Sequence, residues 1–327
     1  MKVAVFSTKD YDRTALAEAN AGGHELVFFE AALNAQTAPV AKGYEAVCVF
    51  VHDEVDAEAV KILAGGGVRL VALRCAGFNN VDLAAAREAG LTVVRVPAYS
   101  PHAVAEFTVG LILALNRKYH RAYARTRDGN FSIDGLLGFD LHGKTVGVIG
   151  TGKIGLEVVR ILAAFGCRLL GYDQHHSEEA VRLGLEYVAL GRIWEEADVI
   201  TLHCPLLPET HHLISGPVVA RLKPGVMLVN TSRGGLVDAV AVAEGIKDGK
   251  IGALGLDVYE EEEGVFFEDW SETIINDDLL LRLLAYPNVL ITSHQAFFTR
   301  EALGNIARTT LGNLDEFAAT GQCRNRL

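Results

Sequence analysis

The stretch TVGVIGTGKIGLEVVRILAAF, Thr145 to Phe165, decides the fold. It opens on a β-branched run suited to a buried strand, and from Lys153 onward its apolar residues recur at helical spacing. Between the two lies Gly150-Thr151-Gly152-Lys153-Ile154-Gly155, a G-x-G-x-x-G in the strand–turn–helix setting that gives the pattern meaning. Gly150 permits the tight turn, Gly152 lets backbone approach a pyrophosphate, and Gly155 allows the helix to pack closely on the strand. The helix start then presents unpaired N–H groups and the positive end of its dipole to a diphosphate. Glycines also serve plain structural turns, so the next strand matters. RLLGYD ends at Asp173, about 20 residues past the glycines, where an acidic side chain accepts hydrogen bonds from ribose hydroxyls. Its charge would repel a 2′-phosphate, and the expected cofactor is therefore NAD rather than NADP.

Reading outward, short apolar runs alternate with helix-length amphipathic segments along the whole chain. Before the glycine turn come VAVFS at Val3, ELVFF at Glu25, AVCVFV at Ala46, LVALRC at Leu70 and TVVRV at Thr92. From it onward come TVGVIG, RLLGYD, DVITLHC at Asp198, VMLVNT at Val226, GALGLDV at Gly252 and NVLITS at Asn288. This alternation is the pattern of βαβ units and parallel sheets. The fold class expected is α/β, with two doubly wound parallel-sheet, Rossmann-like domains and a cleft between them that closes on a ligand. Pro101 to Arg127 predicts one long linking helix. Thr299 to Ala319 again reads as helix and is expected to return to the N-terminal domain, which makes that domain discontinuous: residues 1–100 plus 299–327, against 101–298 for the nucleotide-binding domain.

The 327 residues are 50% hydrophobic and 22% charged, enough to bury the cores of two domains. A net charge of −11 with no basic stripe argues against nucleic acid as a partner. The start, MKVAVFSTKD, lacks the long apolar region of a secretory signal, and runs such as VGLILAL at Val109 are too short to span a bilayer. No membrane association is expected. Five cysteines, an odd number lying mostly in apolar runs, suit buried thiols in a reducing cytoplasm and indicate neither a disulfide framework nor a zinc site. No metal is expected.

Beyond the carboxyl ends of strands, where such sheets bind ligands, stand three residues of chemical interest. Arg233 follows VMLVNT in NTSRGG, His294 follows NVLITS in SHQAF, and Glu262 lies after GALGLDV in DVYEEEE. A lone arginine is usually a surface charge, a lone histidine is more often structural, and an acidic run is usually a solvated loop. Together they form the set that reduction of a 2-keto acid requires: a cation for the carboxylate and ketone, an acid for the developing alkoxide, and a carboxylate to orient that acid.

The order GTGKIG, HCPLLPET, NTSRGG, GLDVYEEEE, SHQAFFT resembles the D-isomer-specific 2-hydroxy acid dehydrogenases. RCAGFNNVDL, VPAYSPHAVAEFTVGLILALNR, RTRDGNFS, VFFEDWS and INDDLLLRLLAYPNVLITSHQAF extend the likeness to the bacterial fermentative branch of that family over nearly the whole chain. The resemblance implies NAD-dependent, reversible reduction of pyruvate to D-lactate. It makes Arg233 the substrate-carboxylate clamp, His294 the general acid and base, and Glu262 its paired carboxylate, expected to favour the imidazolium. It places Lys153 and Ile154 at the diphosphate turn, Cys204 and Pro205 beside the adenosine, and Thr231, Ser232, Arg233 and Asp257 near the nicotinamide. It also offers the backbone of Cys75, Ala76 and Gly77 to the substrate carboxylate and puts Tyr99 in the pocket wall, while Phe297 and Phe298 read either as a wall beside a small substrate or as core. Thr210 stands where relatives often have Asn, so a direct cofactor contact is not expected of it. Homo-oligomers, dimers or tetramers, are common in the family. A dehydrogenase of a bulkier D-2-hydroxy acid and an NAD-sensing regulatory protein are the competing readings, and fold alone does not separate them.

Overall fold

The runs read as strands become parallel strands, and the glycine turn sits where their order reverses. The structure is a computed structural model that describes every residue except Gly22 and Glu263, the last of which closes the acidic run read in the sequence. Two units emerge, Met1–Ser100 with Phe298–Leu327, and Pro101–Phe297. The first contains β1 (Lys2–Val5), α1 (Asp10–Ala19), β2 (Glu25–Phe28), β3 (Ala46–Val49), α2 (Ala57–Gly65), β4 (Leu70–Leu73), α3 (Leu83–Glu88) and β5 (Thr92–Val94). Its five strands are all parallel, in the order β2-β1-β3-β4-β5. Every residue of β3 and β4 is buried, as expected where both faces of a parallel sheet are covered.

The second unit contains α4 (Pro101–Arg117), α5 (Tyr119–Arg127), β6 (Thr145–Ile149), α6 (Lys153–Ala164), β7 (Arg168–Tyr172), α7 (Glu178–Arg182), β8 (Leu185–Tyr187) and α8 (Leu190–Glu196). It continues through β9 (Val199–Leu202), α9 (Gly216–Arg221), β10 (Val226–Asn230), α10 (Ala239–Lys247), β11 (Ile251–Leu256), α11 (Asp278–Ala285) and β12 (Val289–Ile291). The seven-stranded sheet runs β12-β11-β10-β9-β6-β7-β8, again all parallel. Alternate side chains of one strand serve opposite faces. Leu169, Val199, Met227 and Val229 join one core with Val109 and Ile112 of α4, whereas Leu170, Ile200 and Leu228 join another with Ile193, Val242 and Leu283. The chain then enters α12 (Arg300–Thr320), capped by the Thr299 hydroxyl on Ala302 N–H. Its Ala307, Leu311, Leu314 and Phe317 pack with Val3, Val5, Leu16 and Leu70, which is why the first unit is discontinuous in sequence.

Two expectations are corrected. Pro101 to Arg127 is not one helix: Lys118, at φ +53°, separates α4 from α5. The apolar face ends at Leu115, α5 buries none of its residues, and the Lys118 ammonium donates to the carbonyls of Gly135 (2.9 Å) and Leu137 (3.0 Å). Phe298, expected within the nucleotide-binding unit, belongs to the first, where its ring meets Tyr11 edge-on at 4.7 Å.

Candidate active site

The sheet order changes direction between β6 and β9, and the glycine turn follows β6 at that point. Gly150 has φ +90°, and a Cβ there would come within 2.5 Å of the Cys204 nitrogen. A Cβ on Gly155 would run into the Gly150 carbonyl oxygen, so helix and strand could not approach. At Gly152, the N-cap of α6, a Cβ would instead point into open space, and no side chain caps the helix start. Elsewhere Asp56, Asp82, Ser177, Asp238 and Asp277 close helix starts with their side chains. The start of α6 thus keeps its amides and the space in front of them for a ligand, with Lys153 exposed and Ile154 partly buried beside it.

Beside this turn a pocket of about 320 Å³ opens within the second unit, lined by Gly150, Asp173, Leu190, Cys204, Pro205 and Leu213 among others. Asp173 stands at the end of β7 and accepts from Thr151 N–H at 2.6 Å and His175 N–H at 2.9 Å, which leaves lone pairs for ribose hydroxyls. A mainly apolar wall with Asp173 at the end of β7 fits an adenosine, and the open turn fits the diphosphate joined to it. Burial pushes the Cys204 thiol up to about 11, so this cysteine is an inert wall residue. The Thr210 hydroxyl donates to Pro205 O and accepts from Leu207 N–H, both at 2.7 Å; it ties the turn together rather than facing the pocket with a free group.

Behind the turn, His203 holds Thr201 Oγ1 at 2.9 Å through Nε2, while its Nδ1 is buried without a partner among the described residues. Burial pushes this imidazole down to about 3. Below the ordinary histidine value of about 6.5 the unfolded chain takes up a proton that the folded chain refuses, so stability falls with falling pH by up to about 1.4 kcal/mol per unit until the folded value is reached. In the cofactor-free protein, His203→Gln should therefore lose stability less steeply between pH 6.5 and 5 than the parent. Denaturant unfolding at several pH values measures the slopes, and equal slopes would remove His203 as the cause.

The loop after β12 carries His294 at φ +50°. Asp257, 1% exposed at the end of β11, builds that loop: it accepts from Thr292 Oγ1 (2.6 Å), Gln295 N–H (2.9 Å) and Ala296 N–H (2.9 Å), and its own carbonyl takes His294 N–H at 2.7 Å. Its carboxylate is thus committed to holding the histidine loop rather than turned out toward a nicotinamide. His294 Nδ1 pairs with Glu262 Oε1 at 2.8 Å, and Glu262 Oε2 accepts from Tyr259 N–H at 3.0 Å. With side chains 17% and 20% exposed, the pair is shielded yet reachable from solvent. Phe267, from VFFEDWS, sets its ring 6.1 Å from the imidazole.

Arg233 leaves β10 through a turn in which Asn230 accepts from Ser232 N–H (3.0 Å) and donates to Arg233 O (2.8 Å). Ser232 Oγ donates to Cys204 O at 2.7 Å, and Thr231 shares a 2.8 Å hydroxyl bond with Thr108 of α4. At Gly234 a Cβ would strike the backbone of Tyr259 and Glu260, so only glycine lets the arginine turn lie against the segment that carries Glu262. Among the described residues no carboxylate pairs with the Arg233 guanidinium, whose Nη1 donates to Ser232 O. In the first unit, Cys75 is buried with its thiol on Gly77 O at 3.3 Å, and the amides of Ala76 and Gly77 face no acceptor among the described residues. Tyr99 O accepts from Asn305, and Phe297, in the second unit, is buried.

A glycine turn at the switch point, an acidic residue after the second strand of the unit and an imidazole–carboxylate pair beyond the sheet define a dinucleotide-dependent oxidoreductase of the Rossmann class. The family model described as "D-isomer specific 2-hydroxyacid dehydrogenase, NAD binding domain" matches residues 109–296. The whole chain is 54% identical to the full length of a D-lactate dehydrogenase of Escherichia coli K12. The apo-structure of D-lactate dehydrogenase from E. coli superposes with a TM-score of 0.91 at 52% identity, all of both chains covered. A D-lactate dehydrogenase from Aquifex aeolicus, complexed with NAD and lactic acid, superposes with a TM-score of 0.86 at 33% identity, covering 97% of this chain and 96% of its own. The chain belongs to the D-isomer specific 2-hydroxyacid dehydrogenase family, and its second unit carries the NAD-binding domain. Among the described residues, no helix is long and apolar enough to cross a membrane.

Proposed function

We propose that this protein interconverts pyruvate and D-lactate with NAD. The observation that carries this reading is the His294–Glu262 pair in the same unit as Arg233, with which no carboxylate among the described residues pairs, in a chain 54% identical over its full length to a D-lactate dehydrogenase. The amides of α6, Lys153 and Ile154 would hold the diphosphate, with Asp173, Cys204 and Pro205 around the adenosine and Thr231 to Arg233 near the nicotinamide. When bound, the reduced nicotinamide supplies a hydride to C2 of the keto acid. Arg233 presents a planar fork to the substrate carboxylate and polarises the carbonyl. Glu262 fixes Nδ1, so that His294 gives a proton to the carbonyl oxygen from Nε2 and takes it back in the oxidative direction. Asp257 acts through His294, as a positioning residue. Substrate contact by Cys75, Ala76, Gly77, Tyr99 and Phe297 is part of the same proposal.

A panel of 2-keto acids from glyoxylate and pyruvate to ketoisocaproate and phenylpyruvate, with NADH oxidation followed and product chirality assigned, tests the reading. The highest kcat/KM should fall on pyruvate with D-lactate as product. Preference for a bulky keto acid would move the substrate, and NADH binding without turnover would point to a sensing role. Asp173→Ala should weaken NADH binding and raise the relative use of NADPH on the order of 100-fold, because a carboxylate beside a 2′-phosphate costs several kcal/mol. Asp173→Asn separates charge from the Thr151 hydrogen bond, and an unchanged cofactor ratio in both variants would exclude Asp173 as the discriminator. The reading includes a homo-oligomer, supported by the exposed Tyr119, Tyr123, Phe131, Ile133 and Leu137, and a cytoplasmic setting, supported by five free cysteines.

A further inference from the structure

We propose that His211, His212 and Glu260 form a surface site for a divalent transition-metal ion of the zinc class. The loop between β9 and α9 carries this histidine pair. His211 N–H donates to Leu207 O at 2.9 Å and His212 N–H to Gly235 O at 2.8 Å, with His212 at φ +49°. These bonds hold the two imidazoles face to face, centroids 3.9 Å apart and planes 22° from parallel. Both Nε2 atoms reach one carboxylate: His211 lies 3.1 Å from Glu260 Oε1, and His212 lies 2.9 Å from each oxygen.

Each of the three residues offers a ligand atom, and these atoms lie within 4.8 Å of one another. Donors about 2.1 Å from a tetrahedral ion stand roughly 3.4 Å apart, so an ion replacing the bridging protons needs only small side-chain shifts. Two imidazole nitrogens and a carboxylate oxygen suit zinc and its neighbours in the first transition row, not calcium or magnesium. With side chains 52%, 34% and 29% exposed, the ion enters from solvent and keeps water in its remaining position. The cysteine pattern, which indicates no zinc site, does not bear on this donor set of histidines and a glutamate.

The site joins two functional segments of the second unit. The loop before His211 lines the adenosine pocket through Leu207, Glu209 and Thr210, and Glu260 lies two residues before Glu262. A bound ion would therefore staple the adenosine loop to the turn that orients the catalytic imidazole, and it should raise the melting temperature saturably.

Calorimetric titration of chelator-treated protein with Zn²⁺, and the visible spectrum of a Co²⁺-loaded sample, test this directly. The expected result is one ion per chain with imidazole-ligated Co²⁺ bands, an affinity weakened on the order of 100-fold in the double variant His211→Gln, Glu260→Gln, and unchanged binding in His294→Asn. Binding that survives the double variant or disappears in His294→Asn would place the ion elsewhere and overturn the proposal. Absence of imidazole-ligated Co²⁺ bands in the parent would overturn it without recourse to any variant.

Discussion

His294→Asn should lower kcat for pyruvate reduction on the order of 1,000-fold while leaving NADH affinity within about twofold, since a positioned general acid contributes roughly 10²–10⁴ in rate. Asparagine is the informative replacement because His294 sits at φ +50°, a conformation asparagine tolerates and most residues resist. The backbone bonds that Asp257 makes to Gln295 and Ala296 then persist, and the loss reports the missing proton donor rather than a collapsed loop. Glu262→Gln should lose less, about 100-fold, because an amide can still meet Nδ1 but supplies no charge to the imidazolium. Steady-state rates of the two variants beside the parent distinguish them. Retention of kcat within tenfold in His294→Asn would remove the histidine from the chemistry.

The glycine turn was legible because strand, turn and helix are contiguous, so spacing alone carries the geometry of Gly150, Gly152 and Gly155. Arg233, Glu262 and His294 were legible as candidates because each follows a recognisable strand. Their placement depends on Gly234 packing against Tyr259 and on Asp257 shaping the histidine loop, and no local pattern reveals either. Strand β8 escaped notice since it has three residues, one of them the charged Glu186. The break at Lys118 was hidden by continued helix-forming residues in α5; the signal present was the loss of apolar spacing after Leu115. His212 and Glu260 are 48 residues apart in the chain, so only the fold brings that cluster together.

Arg233→Lys should lower kcat/KM for pyruvate by about 10²–10³ although the positive charge is retained. Arginine and a carboxylate match as two parallel N–H···O bonds, and an ammonium on a flexible stem supplies a point charge without that register. The protein has already arranged for the larger group: Asn230 and Ser232 fix the turn, Gly234 closes it against Tyr259, and no carboxylate among the described residues neutralises the guanidinium. Substrate carboxylate is then the first anion to satisfy it, and the same fork can lean toward the carbonyl oxygen as charge builds there, so both KM and kcat should suffer. NADH binding measured by fluorescence should change little. Arg233→Ala should lose more and regain part of its rate when guanidinium ion is added, whereas added ammonium should restore less. Equal rescue by both cations would mean that charge alone suffices at this position, and near-normal kcat/KM in Arg233→Lys would show that the fork is not what holds the substrate.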